Sequence, residues 1–511
     1  MMRQTSTCSR LAYPSRQDWP GWLCRIPAGL LVLLLLAGPL AQAQQITAQL
    51  HLSNKEPEPL WFEYVRADGG LATLSYMSKR SSRYLGIYKY DESFRRTWER
   101  QVLQNSNRLE IVHFTVLGER ILLFVGEQNP GESTQTLYYY AYSLDGTAEA
   151  ERVPLLTAPK KEALRSSLRF VHSINKQLLA CVQQFPHDAT DHPIRLAYHL
   201  FQQGQPGPRS YEFDLPYTGT DAYELKEAEL SNSGNLHVLA KKEAGRRQPA
   251  NDVRYVLARY RIADEQVLET PLYFSDSLIT DLTFQLSPSE EVFMGGFYSR
   301  SQADQAYGLV FVRLDSADHA MTVSSFTPFS TSFLGRYLNE RQLNRGNALT
   351  DFYLDKIILR SDGGMLFLAE QFYLTYVNYY DAYGFLSYQE EYHYDDVAAF
   401  SVSPAGEVEW HALVPKSQAG QSRMELSYFP AIGPAGVYVF FKAYQRKIGT
   451  HLYYQRILPD GTVEPAQVFM GQMRGADIFY RPACEQITNR EAVLVYRRDG
   501  KFSLVKIRLE E

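Results

Sequence analysis

The chain predicts an all-β fold, a β-propeller of eight four-stranded blades, and three observations carry that prediction. First, a pair of strands joined by a tight turn recurs. Copies start at Leu85, Leu137, Leu196, Val256, Leu309, Val397, Leu452 and Leu504. Each has an alternating apolar strand, a turn containing Asp, Gly or Pro, and a second strand rich in polar residues. Successive copies lie 52 to 60 residues apart, apart from one interval of 88. Second, two more strands precede each copy, as in Glu110-Ile-Val-His-Phe-Thr-Val and Ile121-Leu-Leu-Phe-Val. Four short strands per period is the pattern of a propeller blade. Third, the ends complement each other. The last copy lacks a fourth strand, and residues 45–52 (QITAQLHL) form a strand with no blade of its own. A ring closed by this N-terminal strand covers the sheet edge that the last copy would otherwise expose. Seven blades would result if the weakest copy, around 169–214, were irregular.

Taken in order, the chain opens with a targeting pattern. Arg3, Arg10, Arg16 and Arg25 precede the apolar run LLVLLLLAGPL of residues 30–40, and Ala41-Gln-Ala43 follows as a cleavage site. This reads as a signal peptide over residues 1–43, ahead of a single propeller domain over 44–511. The apolar run is too short for a comfortable bilayer span, so no membrane span is expected after cleavage. Export to the periplasm, the outer-membrane surface or the medium follows. The formal charge is −5. Removing four Arg and one Asp with the leader makes the remainder more acidic, which argues against nucleic acid as a partner. Cys181 and Cys484, far apart in sequence, are expected as free thiols.

The composition is that of a folded chain, 45% hydrophobic and 21% charged, with 36 Tyr and 27 Phe. Such aromatic enrichment suits pleated, half-buried surfaces. The 88-residue interval holds inserted matter, at about 331–396. Its first part, from Ser332 to Arg345, is the best helical stretch in the chain, with Phe333, Leu334, Tyr337, Leu338 and Leu343 along one side. Its second part is crowded with tyrosine between Tyr373 and Tyr394.

Several motifs have ordinary structural readings. The Asp-Gly pairs at 68, 145, 362, 460 and 499 are hairpin turns, because Gly tolerates positive φ where strands reverse. His187, Asp188, Asp191 and His192 are metal-ligand types, but prolines on both sides mark a solvated loop. No metal or other cofactor is therefore expected. The chain has no nucleophile elbow, phosphate loop, dinucleotide-binding glycine pattern or His-Glu-x-x-His.

The tyrosine segment is the candidate binding surface, because tyrosine offers a flat apolar face, a hydroxyl and little rotamer entropy to lose. The candidate ligand-binding residues are Glu370, Gln371, Tyr376, Tyr379, Tyr380, Tyr383, Tyr388 and Tyr392. Glu370 and Gln371 interrupt an apolar strand, which places Glu370 near the central channel or in an ion pair. No catalytic residue can be chosen, since hydrolysis of a glycoside needs a second positioned carboxylate.

Asp351–Tyr373, with Leu-Arg-Ser-Asp-Gly-Gly and Ala-Glu-Gln-Phe-Tyr, resembles a recurring segment of exported propeller-like proteins of Bacteroidota. So do Tyr394-Asp-Asp-Val through Glu407-Val-Glu-Trp and Val414-Pro-Lys-Ser-Gln418. The resemblance covers mainly one blade and implies no activity. The expected function is a non-enzymatic binding or scaffold propeller, monomeric, with a glycan, a peptide or an envelope protein at the face carrying 331–396. The alternative is a carbohydrate-active hydrolase using inner-strand carboxylates.

Overall fold

The middle strands of each repeat are almost continuously apolar, as in Val292–Ser299, where every residue is buried. A strand buried on both faces needs cover on both sides of its sheet, and in an all-β chain neighbouring sheets supply it. A computed structural model shows this arrangement. It describes residues 45–510 except 52–58, 80–81, 105–107, 161–163, 186–193, 216–222, 243–254, 273, 275–276, 301–304, 381–384, 446–448, 474–476 and 499–500.

Eight antiparallel sheets follow one another along the chain, seven of them with their four main strands in sequential order. The first strands are Pro59–Val65, Leu109–Leu117, Leu168–His172, Tyr223–Leu230, Leu278–Leu286, Phe352–Leu359 and Tyr428–Gly433. In blade 8 the first position is shared by Ile478–Phe479 and Glu485–Thr488. The third repeat has all four strands (Leu168–His172, Leu178–Gln184, Ile194–Gln202 and Arg209–Leu215), so the count is eight and not seven. Blade 8 takes its outer strand from the other end of the chain: Gln45–His51 pairs antiparallel with Lys501–Arg508.

Eight hydrophobic clusters lie among the described residues, each spanning two neighbouring sheets. One unites blades 8 and 1 through Val495, Leu504, Leu71 and Tyr88. Alternate residues of one strand feed opposite neighbours, so the period-2 pattern is satisfied on both sides. Outer strands alternate with solvent instead, as in Arg96–Gln104.

The first strands stand side by side and are stitched by side chains. Thr115 meets His172 at 2.9 Å, and Arg169 donates to the Leu225 carbonyl. Glu227 accepts from the Phe284 amide, and Gln285 from the Leu359 amide. Gln486 exchanges two bonds with the Ile432 backbone, and Arg66 donates to the Ile487 carbonyl. These bonds satisfy backbone groups that one sheet alone would leave unpaired. In blades 1, 2, 4, 5 and 6 the ladder between the first two strands slips at a bulge. Each bulge re-aims side chains near the ring axis.

The Asp-Gly turns are hairpin turns, with Gly69, Gly146, Gly363 and Gly461 all at positive φ. The turn at 499–500 lies outside the described residues, as does the His187–His192 cluster. The expected single helix is two short ones, Thr331–Leu334 and Glu340–Asn344. Gly335 ends the first, and Asn339 starts the second with a reciprocal capping box. Four of the five expected apolar residues pack together: Phe333 is buried between blades 5 and 6, with Leu334, Tyr337 and Leu338 against the same cluster, and Leu343 is not among them. Cys181 and Cys484 are free thiols, the first buried and the second partly so.

The closing strand can be tested directly. A chain starting at residue 59 exposes the edge of Lys501–Arg508. It should unfold at lower urea than the chain starting at residue 44 and should self-associate in light scattering. An unchanged midpoint with a monomeric product would contradict the closure.

Candidate functional site

Because each blade runs strictly antiparallel, its connections sort onto two faces of the ring. First-to-second and third-to-fourth turns share one face, the lower. Second-to-third connections and blade-to-blade links share the other, the upper. The insertion of blade 6 is on the upper face.

Its second and third strands, Met365–Tyr380 and Leu386–Val402, run past the blade as a two-stranded ribbon. Nine residues of Met365–Tyr380 extend beyond its pairing with Phe352–Leu359, roughly 30 Å at about 3.3 Å per residue, and Gln418–Gly420 pairs the ribbon's other edge at Tyr392–Tyr394. The ribbon leaves the blade at a bulge, where Asp395 and Asp396 oppose the single residue Gln371. Both carboxylates are tied down. Asp395 accepts from the Tyr373 hydroxyl at 3.1 Å, and Asp396 from the Tyr337 hydroxyl at 3.2 Å and the Lys416 amide at 3.3 Å. Tyr337 belongs to the inserted segment, so the two insertions brace each other.

Directly opposite residues share a face of the ribbon, so the register sorts the rings. Phe372, Tyr394, Tyr392, Tyr376, Tyr388, Tyr380 and Leu386 lie on one face. Near the blade this face is packed. Arg423 stacks over Phe372 and Tyr392, and Tyr353 meets Phe372 edge-on. Towards the tip it is bare, with Tyr380 75% exposed, Tyr388 69% and Leu386 65%. The other face carries Val377 and Tyr379, also exposed. Tyr373, stacked on His393 at 4.5 Å, lies nearer the blade. Beyond Gln371 no described strand pairs the outer edge of residues 373–380.

The residues singled out by sequence thus fall in three places. Tyr376, Tyr379, Tyr380 and Tyr388 are exposed on the ribbon, and Tyr392 is half-buried at its packed part. Tyr383 lies outside the described residues. Gln371 is at the bulge. Glu370 is 4% exposed at the seam between blades 6 and 7. There its Oε1 lies 2.6 Å from Lys416 Nζ, and its Oε2 accepts from the Ser427 hydroxyl. Lys416 also donates to the Tyr394 carbonyl and to Gln418, whose amide reaches the Lys442 carbonyl. Burial pushes the Glu370 carboxyl up and the Lys416 ammonium down, each against the attraction of the other. Of the two positions open to Glu370, the ion pair is the one it takes.

The lower face holds a second candidate site that sequence reasoning missed. A cavity of about 540 Å³ opens among the first strands of blades 1, 2, 3 and 8. One wall is aromatic: His113 stacks on Phe170 at 4.1 Å and meets Trp61 edge-on at 5.4 Å. The other wall is charged and includes Glu63, Glu485, Arg66 and Lys176. Glu485 lies 3.6 Å from Arg66. Arg66 and Lys176 are exposed at the cavity, and Glu63 and Glu485 are half-buried. Burial holds the Glu63 carboxyl well above the usual carboxylate range, and Glu485 adds to this. Burial also raises Glu485, lowers Lys176, and drives His113 down to about 3 and His172 to about 4. Nearby Glu229 is pushed up to about 7, by burial first and Glu227 second. A polar residue inside each apolar strand (Glu63, His113, His172) was the available signal. Among the described residues, no group of three or more His, Cys, Asp or Glu side chains could hold a metal ion.

No family model matches the chain, and no curated protein matches it. Among solved structures it is similar to the WD40 domain of SCAP from fission yeast, at 6% identity over 90% of this chain and 96% of that one, TM-score 0.40. It is also similar to the polysaccharide lyase Uly1, at 8% identity over 78% and 90%, TM-score 0.36. A third likeness is the β-propeller domain of the Trilobed protease from Pyrococcus furiosus, at 9% identity over 83% and 97%, TM-score 0.36. The propeller assignment rests on the strand order and pairing above.

Two outcomes are expected. Lys416→Met strands a buried carboxylate and should cost about 3–5 kcal/mol, whereas the double change Glu370→Leu/Lys416→Met should recover most of that. Equal urea midpoints for the single and double variants would refute the pairing. His113 and His172 have folded-state values below the ordinary ~6.5, so the unfolded chain takes up their protons first. Stability should be full above pH ~6.5 and fall as pH drops towards about 4. His113→Phe and His172→Gln should each flatten the plot of urea midpoint against pH over that window. An unaltered slope would contradict the burial of these rings.

Proposed function

We propose that this chain is an exported binding propeller whose ribbon captures an extended polypeptide segment. The observation that carries the reading is the bare outer half of the ribbon, where exposed rings flank a strand edge with no described partner strand. Such an edge offers a row of backbone N–H and C=O groups, the template for adding a strand. Rings and the aliphatic Val377 and Leu386 would then contact alternate side chains of the added segment. A polypeptide fits this pairing of ladder and apolar side chains better than a glycan does, since a sugar cannot continue the ladder.

The basic segment, apolar run and Ala-Gln-Ala of residues 1–43 support export, and the resemblance to exported Bacteroidota proteins agrees with it. A hydrolase built on Glu370 has no observation in its favour, because Lys416 and Ser427 occupy that carboxylate.

The test is selection of a random-peptide display library on the chain from residue 44, beside a glycan array. Peptides should be enriched on the intact protein and lost when residues 375–392 are replaced by a short turn. They should also be lost in the triple variant Tyr380→Ser/Leu386→Ser/Tyr388→Ser, with cooperative melting retained. Enrichment that survives both changes, or glycan binding alone, would overturn the proposal.

A further inference from the structure

Among the described residues, two groups of the lower-face cavity have no direct partner of opposite charge, half-buried Glu63 and exposed Lys176. Glu63 has Trp61 beside it and senses Glu485 and Lys176 as nearby charges. Lys176 senses Glu485, Glu63 and Glu229 in the same way and bonds none of them. By contrast, Glu485 lies 3.6 Å from Arg66. A half-buried carboxyl and an exposed ammonium on one cavity wall, neither of them ion-paired, leave groups of both signs open to a ligand.

The backbone gives Lys176 its position. It occupies the fourth place of the turn between the first two strands of blade 3, at φ +58°. Its counterparts in the same turn of blades 4 and 6, Gly234 and Gly363, are glycines at positive φ. In blade 5 the place is taken by Glu290, which turns back onto Asn235 and Ser233 of blade 4. Lys176 instead enters the lumen lining, beside Asn175 and Gln177.

The third component is the ring wall of Trp61, His113 and Phe170 beside these charges. Both histidines have a ring nitrogen without a hydrogen bond, Nε2 of His113 and Nδ1 of His172. The size falls within the roughly 300–1,000 Å³ typical of small-ligand pockets.

We infer that this cavity is a binding site for a small zwitterion, an α-amino acid or short peptide with an apolar or aromatic side chain. The ligand ammonium pairs with Glu63, its carboxylate pairs with Lys176, and its side chain lies on the Trp61–His113–Phe170 wall. A zwitterion supplies a partner to each unmatched charge and leaves the net charge of the lumen unchanged. A simple cation would leave Lys176 unmatched, and a simple anion would leave Glu63 so. The site lies on the opposite face from the ribbon and does not depend on the role proposed for it.

Binding also carries a proton signature. Glu63 is faced by Glu485, Lys176, Arg66, His113 and His172 around the cavity, and it must be ionised to hold an ammonium. Because burial raises its carboxyl, affinity should weaken as pH falls through that raised value, and binding near it should release a proton.

The probe is L-phenylalanine, titrated calorimetrically into the chain from residue 44, with N-acetyl-L-phenylalaninamide and glucose as controls. Saturable one-to-one binding is expected, about 10-fold or more weaker in Glu63→Gln and, separately, in Lys176→Met. Circular dichroism melts should show both variants folded. Tyr380→Ser, on the ribbon, should bind L-phenylalanine normally. Equal affinity for the uncharged N-acetyl amide, unchanged binding in both variants, preference for glucose, or no binding at all would each overturn the inference.

Discussion

Everything in this ring depends on each sheet being apolar on both faces. A single sheet of this kind has no stable surface to turn towards water. Each blade therefore needs two neighbours, and eight such blades can all be covered only by closing on themselves. The clusters that join successive blades follow from this, and so does the one uniting blades 8 and 1. The amide, carbonyl and guanidinium bonds between first strands are the polar counterpart near the axis. They fix neighbouring blades in register where apolar contact alone would allow sliding.

That constraint explains where novelty is allowed. The packed faces admit little change, since one extra or missing methylene is felt in a close-packed interior. The connections do not share this restriction. The chain uses the upper face of blade 6 for a ribbon and a pair of short helices. It uses the lower mouth of the axis for charged groups on first strands. The bulge at Gln371 marks the boundary: blade rules end there, and the strands continue with rings facing solvent. Glu370, one residue earlier, still belongs to the interior, so it is paired and hidden.

Much of this was legible in the sequence because it is local. Apolar runs, Asp-Gly turns and their spacing are set within a few residues, and they were enough for the architecture and the missing outer strand. The ribbon was legible as an insertion because its length broke the repeat, and four of its predicted tyrosines are exposed. The split of the helical stretch was not anticipated, although Gly335 and Asn339 are ordinary stop and start signals. Glu370 left two readings open, because its partner Lys416 lies 46 positions further on in another strand connection. The cavity was the least legible. Trp61, His113, His172, Lys176 and Glu485 come from four blades, and nothing in the spacing of single polar residues says that they converge.

The closing strand has a further consequence, for the order of events in folding. Gln45 pairs with Arg508, so the first strand of the described ring and the last are hydrogen-bonded neighbours. Contacts of such sequence separation close a very long loop, and chains dominated by them fold slowly. A ribosome delivers Gln45–His51 long before Lys501–Arg508, so this strand lacks its native partner until the latter has emerged. Throughout that interval both the strand and the face of blade 1 that will meet blade 8 are uncovered. Ring closure therefore cannot precede synthesis of Lys501–Arg508. The nascent protein would be most vulnerable to aggregation and proteolysis just before its ends meet.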